Sequence, residues 1–211
     1  MNILIVGSGA REHAFAWKIL KSKHDIKVFV TNPNAGISKM CCYINLDIND
    51  FVSIKKSIIT HLIDIVLVGP EIPLINGISD FIRNDSTLAH VSVIGPSQKG
   101  SMLEGSKRFA KTFMAKYGIP TAYYKTFDKS TFHLGIRFIN ENPPPYVLKA
   151  DGPAAGKGVI IANDANEAVK SLEDMLLNSR FGKSSEKVVI EEFLSGIEMS
   201  CFVLFDGKNY K

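Results

Sequence analysis

Over the first hundred residues, short unbroken apolar runs alternate with stretches whose apolar positions recur at helical spacing. Residues 2–7 (NILIVG) predict a buried strand and 11–22 a helix. Residues 26–30 predict a second strand, 51–60 a helix, 64–69 a third strand, 73–82 a helix despite Gly77, and 90–95 a fourth strand. Apolar runs without alternation suit strands covered on both faces, and helices between them supply the crossovers of a parallel sheet. The expectation for 1–103 is an open, three-layer α/β domain.

From residue 104 the rhythm changes. Phe109, Phe113 and Tyr117 recur every fourth residue, with Ala110 and Met114 beside them, and predict a helix over 104–117 that Gly118 and Pro120 end. A strand (121–127), a helix (129–141), a strand (146–151), a glycine loop, a strand (158–162), a helix (164–178) and strands 187–194 and 199–205 are expected to follow. This is an α+β layout over 104–211, and its last strand has no closing helix. An unfinished sheet predicts that these residues are part of a longer protein and that 199–205 is an unprotected edge.

The glycine loop, KADGPAAGKGVII at 149–161, is the densest chemical signal. Gly152, Ala154, Ala155, Gly156 and Gly158 lack bulky side chains, so backbone N–H groups can approach phosphate oxygens. Lys157 adds a cation at the tip, and Lys149 can project to the same side of its strand as Asp151. The pattern is not a Walker A loop: Asp151 and Gly158 stand where Gly and Ser or Thr are required. A flap between two strands, closing over a nucleotide's phosphates, fits better; a hairpin turn with incidental lysines is the plainer alternative.

Three further turns follow strands. GSGAREH (7–13) opens like a dinucleotide fingerprint, but Glu12 occupies the third glycine position. A helix N-terminus there still attracts an anion, with Arg11 to reinforce it. VGPEIPL (68–74) brings Glu71 to the same carboxyl edge of the sheet, where open α/β folds bind ligands, and IGPSQKG (94–100) is read as a strand stop. Near the end, VVIEEFLSGIEMS (188–200) clusters Glu191, Glu192 and Glu198 around a strand terminus, with alternation turning one of the adjacent acids inward.

Composition narrows the classes. The chain has 211 residues, 45% of them apolar and 22% charged, with a net charge of +4. A chain this long buries roughly 70% of its unfolded surface and needs no staple. The mild, dispersed positive charge contains no block that reads as a nucleic-acid arm. Cys41, Cys42 and Cys201 lack zinc-site spacing and point to reduced thiols in the cytoplasm. No apolar run approaches the ~20 residues of a membrane span. Small molecules, rather than nucleic acid or membrane, are the expected partners.

Together, VGSGAREHAFAWK, NPNAG, VGPEIPL, LEGSKRFAKTFMAKYGIPTA, VLKADGPAAGKGV and VIEEFLSGIEMS resemble glycinamide ribonucleotide synthetase, the ATP-grasp phosphoribosylamine–glycine ligase family of purine biosynthesis. The resemblance runs through nearly the whole chain in order. It implies that ATP phosphorylates glycine to glycyl phosphate, which the amine of 5-phosphoribosylamine attacks to give glycinamide ribonucleotide, with ADP and phosphate released. It implies an incomplete ATP-grasp domain with a flap subdomain at about 121–190. Lys107 and Lys149 would contact ATP phosphates, and Gly156, Lys157 and Gly158 would form the flap. Glu191, Glu192, Phe193 and Leu194 would line the adenine, and Glu198 would hold the ribose. Gly9, Arg11 and Glu12 would lie in the sugar-phosphate site, with Gly36, Gly69, Pro70 and Glu71 nearby. The ligands of Mg2+ (or Mn2+) would lie beyond residue 211, leaving no metal site within the chain and little activity for it alone.

Ala10, Pro153 and Ile197 depart from the family's usual Gly, Leu and acid. Two rival readings remain. A nicotinamide-dependent oxidoreductase is disfavoured by Glu12 in the broken fingerprint, and a non-catalytic nucleotide-binding or regulatory module would keep the fold without the metal site.

Overall fold

A computed structural model describes every residue except 155 and 202. The first sheet contains β1 (Asn2–Val6), β2 (Lys27–Thr31), β3 (Cys42–Ile44), β4 (Ile65–Val68) and β5 (Ser92–Ile94). All are parallel, in the order β3-β2-β1-β4-β5. Leu4 and Val6 pack into one core with Phe29, Ile54, Ile58 and Val66, while Ile3 and Ile5 join Ala16, Val28 and Val30 in a second. Alternate side chains of one strand therefore feed two cores, which is why its sequence is apolar throughout. Helices α1 (Ala10–Leu20) and α2 (Phe51–Thr60) form crossovers between these strands.

The expected helix over 73–82 is two helices, α3 (Glu71–Ile75) and α4 (Ile78–Asn84). Gly77, at φ 94°, takes a left-handed conformation that interrupts the helical ladder. The helix expected over 104–117 is α6 (Lys107–Lys116), and positions 104–105 belong instead to the end of a separate, unexpected helix, α5 (Gln98–Gly105). Ser106 between them is extended, and its Oγ accepts the Phe109 N–H at 3.1 Å, ending one helix and capping the next. Strand β3 escaped the sequence pattern because three half-exposed or exposed residues carry no buried periodicity.

The second sheet is antiparallel, ordered β6-β9-β7-β8, from β6 (Tyr124–Asp128), β7 (Tyr146–Ala150), β8 (Val159–Ala162) and β9 (Lys187–Glu192). Helices α7 (Phe132–Glu141) and α8 (Ala165–Leu176) cover one face, burying Leu148, Ala150, Val188 and Ile190 against Phe138, Leu172 and Met175.

The strand expected over 199–205 does not form among the described residues; Phe202 lies outside them. Among the described residues the one bridge there is an isolated one between Phe205 and Tyr210, and Ile197 and Met199 stand 100% and 88% exposed. Strand β9, which precedes this segment, already has β6 on one side and β7 on the other. An apolar run becomes a strand only where a sheet edge can pair its backbone.

Candidate functional site

The strand order of the first sheet reverses between β1 and β4, and open α/β sheets leave a crevice outside the carboxyl ends of such a pair. The turns Gly7–Gly9 and Gly69–Glu71 lie at that crevice. The Gly7 N–H donates to Thr31 Oγ1 at 2.8 Å, anchoring the first turn to β2. Asn34 Nδ2 donates to the Ser8 carbonyl at 2.9 Å while its Oδ1 accepts from Gly36 and Ile37 N–H at 3.0 and 3.1 Å. Asn34 thereby ties the NPNAG turn to the GSG turn.

Glu12 is the centre of this arrangement. Although it is a carboxylate it is only 4% exposed, and its Oε2 accepts the Gly9 N–H at 2.5 Å. Gly69 makes room for it: a Cβ there would sit 1.9 Å from Glu12 Oε1. Gly7, at φ 117°, must also be glycine, because a Cβ would meet Pro70 Cδ at 2.7 Å. Gly36 lies against the His13 ring. Arg11 Nη1 donates to the Gly69 carbonyl at 2.5 Å, crossing between the two turns. On one side a cavity of about 520 Å³ is lined by Arg11, Gly69, Glu71 and Ser101. On the other, one of about 770 Å³ is lined by Gly7, Gly9, Glu12, Thr31 and Pro70. All seven residues expected in a sugar-phosphate site thus gather at one sheet edge, and Thr31, Asn34 and His13 join them unanticipated.

The second cluster lies on the face of the antiparallel sheet opposite α7 and α8. Val147 pairs with Glu191 and Lys149 with Val189, so alternation turns Lys149 and Glu191 to that face together. Lys149 Nζ lies 2.9 Å from Glu191 Oε2. Lys111 of α6 reaches the same oxygen at 3.0 Å. Glu191 Oε1 is buried with no hydrogen-bond partner among the described residues. A buried acceptor left unpaired costs roughly 1–3 kcal/mol, a cost that a donor reaching this oxygen would relieve.

Lys107 opens α6, and the end of β7 fixes that opening. The Lys107 N–H donates to the Asp151 carbonyl at 3.0 Å. Asp151 Oδ1 accepts from the Arg108 N–H at 2.7 Å and from Ser106 Oγ at 2.9 Å. The glycine loop forms a hairpin between β7 and β8, closed by the Ala150 N–H donating to the Gly158 carbonyl at 2.8 Å. Its first arm is tied down where Gly152 N–H donates to the Ser184 carbonyl at 3.1 Å and Ser184 Oγ to the Pro153 carbonyl at 2.6 Å. Its tip, with Gly156 at φ 77° and nothing within reach of a Cβ, is exposed along with Lys157. Ala155, part of the expected cradle, lies outside the described residues.

The acidic strand end is less concentrated than the sequence suggested. Glu192 turns to the other face, where its Oε1 accepts the Tyr123 N–H at 2.8 Å and locks β6 to β9. Phe193, Leu194 and Glu198 follow the strand as exposed residues. Lys111, by contrast, is not singled out by the sequence and is only one position of the helix expected over 104–117. Its place beside Phe109 and Phe113 gave no sign of a buried charge. Among the described residues no group of three His, Cys, Asp or Glu side chains is arranged to hold a metal ion. No described helix is long and apolar enough to cross a membrane.

Comparison with known proteins agrees with this two-part layout. Residues 1–104 match the model of the phosphoribosylglycinamide synthetase N domain, and residues 105–211 match that of its ATP-grasp (A) domain. A phosphoribosylamine–glycine ligase from Haemophilus influenzae is 43% identical over 211 residues, covering 99% of this chain and 48% of that protein. The chain spans about half the length of the curated relatives it matches. The crystal structure of a phosphoribosylamine–glycine ligase from Thermotoga maritima superposes with a TM-score of 0.78 at 29% identity, covering all of this chain and 48% of that one. In fold alone, the biotin carboxylase domain of a Hydrogenobacter thermophilus 2-oxoglutarate carboxylase is similar (TM-score 0.66, 20% identity, 92% of this chain and 44% of that one). That structure was solved with MgADP, ADP and bicarbonate.

Proposed function

Because the chain belongs to the phosphoribosylglycinamide synthetase family, we propose that it forms the nucleotide- and sugar-phosphate-binding part of an ATP-dependent ligase. The reaction joins glycine to 5-phosphoribosylamine through glycyl phosphate, giving glycinamide ribonucleotide, ADP and phosphate. The observation that carries this reading is Glu191, whose buried Oε1 is unpaired among the described residues and whose Oε2 is held by two lysines, on the sheet face opposite α7 and α8. Adenine offers an exocyclic amino donor for that oxygen, and its triphosphate offers charge for the lysines and for the hairpin.

In this reading Glu191 accepts from the adenine amino group, and the backbone of Glu192, Phe193 and Leu194 borders the base. Glu198 accepts from the ribose hydroxyls. Lys107 and Lys149 meet the phosphates while Gly156, Lys157 and Gly158 close over them. Neutralising the transferring phosphoryl group is most of what such a site must do, because catalysis there is chiefly positioning and electrostatic. Magnesium would add positive charge to the phosphates when bound; among the described residues no group of three His, Cys, Asp or Glu side chains is arranged to hold it. At the other site Arg11 and the N-terminus of α1 attract the sugar phosphate. Gly9, Glu12, Gly36, Gly69, Pro70 and Glu71 shape the walls around 5-phosphoribosylamine. Free thiols at Cys41, Cys42 and Cys201 suit a cytoplasmic setting.

The test is the thermal midpoint of the chain with MgATP and, in parallel, NAD. A ligand at a hundred times its dissociation constant stabilises by roughly 2.7 kcal/mol. The reading expects a rise with ATP and none with NAD; a rise with NAD alone would overturn it.

A further inference from the structure

Two lysines share one carboxylate oxygen, and they are not equivalent. The side chain of Lys111 is 9% exposed and that of Glu191 5%, whereas that of Lys149 is 29% exposed. Lys111 has acceptors for all three of its N–H groups: Glu191 Oε2 at 3.0 Å, Thr121 Oγ1 at 2.7 Å and the Ala122 carbonyl at 3.4 Å. Its ammonium also lies 5.4 Å from the centre of the Tyr124 ring. Lys149 Nζ has one partner among the described residues, Glu191.

We propose that Lys111 is a positioning residue: a fixed counter-ion that keeps Glu191 paired when Lys149 swings away to a nucleotide's phosphates. The inference rests on the nucleotide reading above. Its physical basis is the high cost of leaving a buried charge without a partner. With Lys149 as the sole counter-ion, every move of that lysine toward phosphate would strand the Glu191 carboxylate. With Lys111 held by three acceptors, Lys149 leaves at little cost. Lys111 also holds Glu191 Oε2 in place, which leaves Oε1 as the carboxylate oxygen without a partner among the described residues. It needs no contact with the nucleotide itself.

The consequence is a coupling that separates phosphate recognition from base recognition. In Lys111→Met, Lys149 becomes locked on Glu191. ATP binding then weakens relative to adenosine binding by about tenfold or more, the worth of one charge-assisted hydrogen bond. Adding Glu191→Gln removes the charge that locks Lys149. The double variant is expected to recover most of the ATP-over-adenosine preference, although both ligands lose base contacts. Taking the ratio cancels the shared adenine term.

The experiment is calorimetric titration of the 211-residue chain and its variants with ATP and with adenosine. A collapsed ratio in Lys111→Met with recovery in the double variant supports the proposal. An unchanged ratio in a variant that still binds both ligands overturns it and leaves the nucleotide reading standing. So does a collapsed ratio that Glu191→Gln fails to restore, because that pattern means Lys111 acts on phosphate directly or only through packing. Failure of the unsubstituted chain to bind either ligand overturns both readings together. Should Lys111→Met fail to fold, Lys111→Gln carries the same expectation, since it retains donors for Thr121 and Ala122 and loses the charge.

Discussion

Replacing Gly69 with alanine tests whether Glu12 is seated as described. The Gly69 backbone lies outside the left-handed region, so alanine imposes no conformational strain there. The cost must come from contact. The new Cβ would lie 1.9, 2.6 and 2.8 Å from Glu12 Oε1, Cδ and Cγ, all closer than non-bonded atoms can approach. Glu12 must then rotate out of its pocket and give up its hydrogen bond from the Gly9 N–H. A hydrogen bond to a charged group is worth about 1.5–3 kcal/mol, so Gly69→Ala is expected to cost about 2 kcal/mol. Denaturant unfolding followed by Trp17 fluorescence reads this cleanly, because the chain's single tryptophan lies on α1, in the same unit. The diagnostic arm is a double-variant cycle with Glu12→Ala. Once the Glu12 side chain is truncated, Gly69→Ala should cost less than about 0.5 kcal/mol, the usual limit for a substitution that disturbs no special feature. An undiminished cost in that background would refute the clash as its cause.

Other consequences can be checked separately. Asp151→Ala removes acceptors for Ser106 Oγ and the Arg108 N–H and should lower stability by about 1 kcal/mol, as loss of a helix cap does; faster proteolysis at 104–108 would report it. Leu148→Ala empties a fully buried position between β7 and α8 and should cost about 2–5 kcal/mol in denaturant melts. Hydrogen bonds from Lys55, then from Thr87, depress the Asp85 carboxyl from 3.8 to about 2. Because its folded value is the lower one, the stability it contributes is fully present above about pH 4 and is lost as pH falls through about 2. Comparing Asp85→Asn with the unsubstituted chain from pH 5 to pH 2 should show a stability gap that narrows on acidification; a constant gap would contradict the assignment.

How far the sequence could be read depended on what each segment's order rests on. Strands β1, β2 and β4 were legible because their central residues are apolar and buried or half-buried on both faces. Strand β3 owes its order to pairing with β2 rather than to its own burial, and so left no pattern. The break at Ser106 was hidden because its second partner, Asp151, lies 45 residues away. The run at 199–205 has the apolar content of a strand but no available edge beside β9. At the sites, the glycine turns were visible as turns because close approach and positive φ demand glycine. Glu191 was recognised as chemically significant, but its ion pairs were not, since Lys111 occupies a helix position that any solvated lysine could fill.

The central claim is that the nucleotide lies on the antiparallel sheet and its hairpin, not at the broken dinucleotide fingerprint. Amide hydrogen exchange of the chain with and without MgATP tests this most directly. The account predicts slowed exchange at residues 150–159 and 190–194 with little change at 7–12. Protection confined to 7–12 and 69–71 would contradict it.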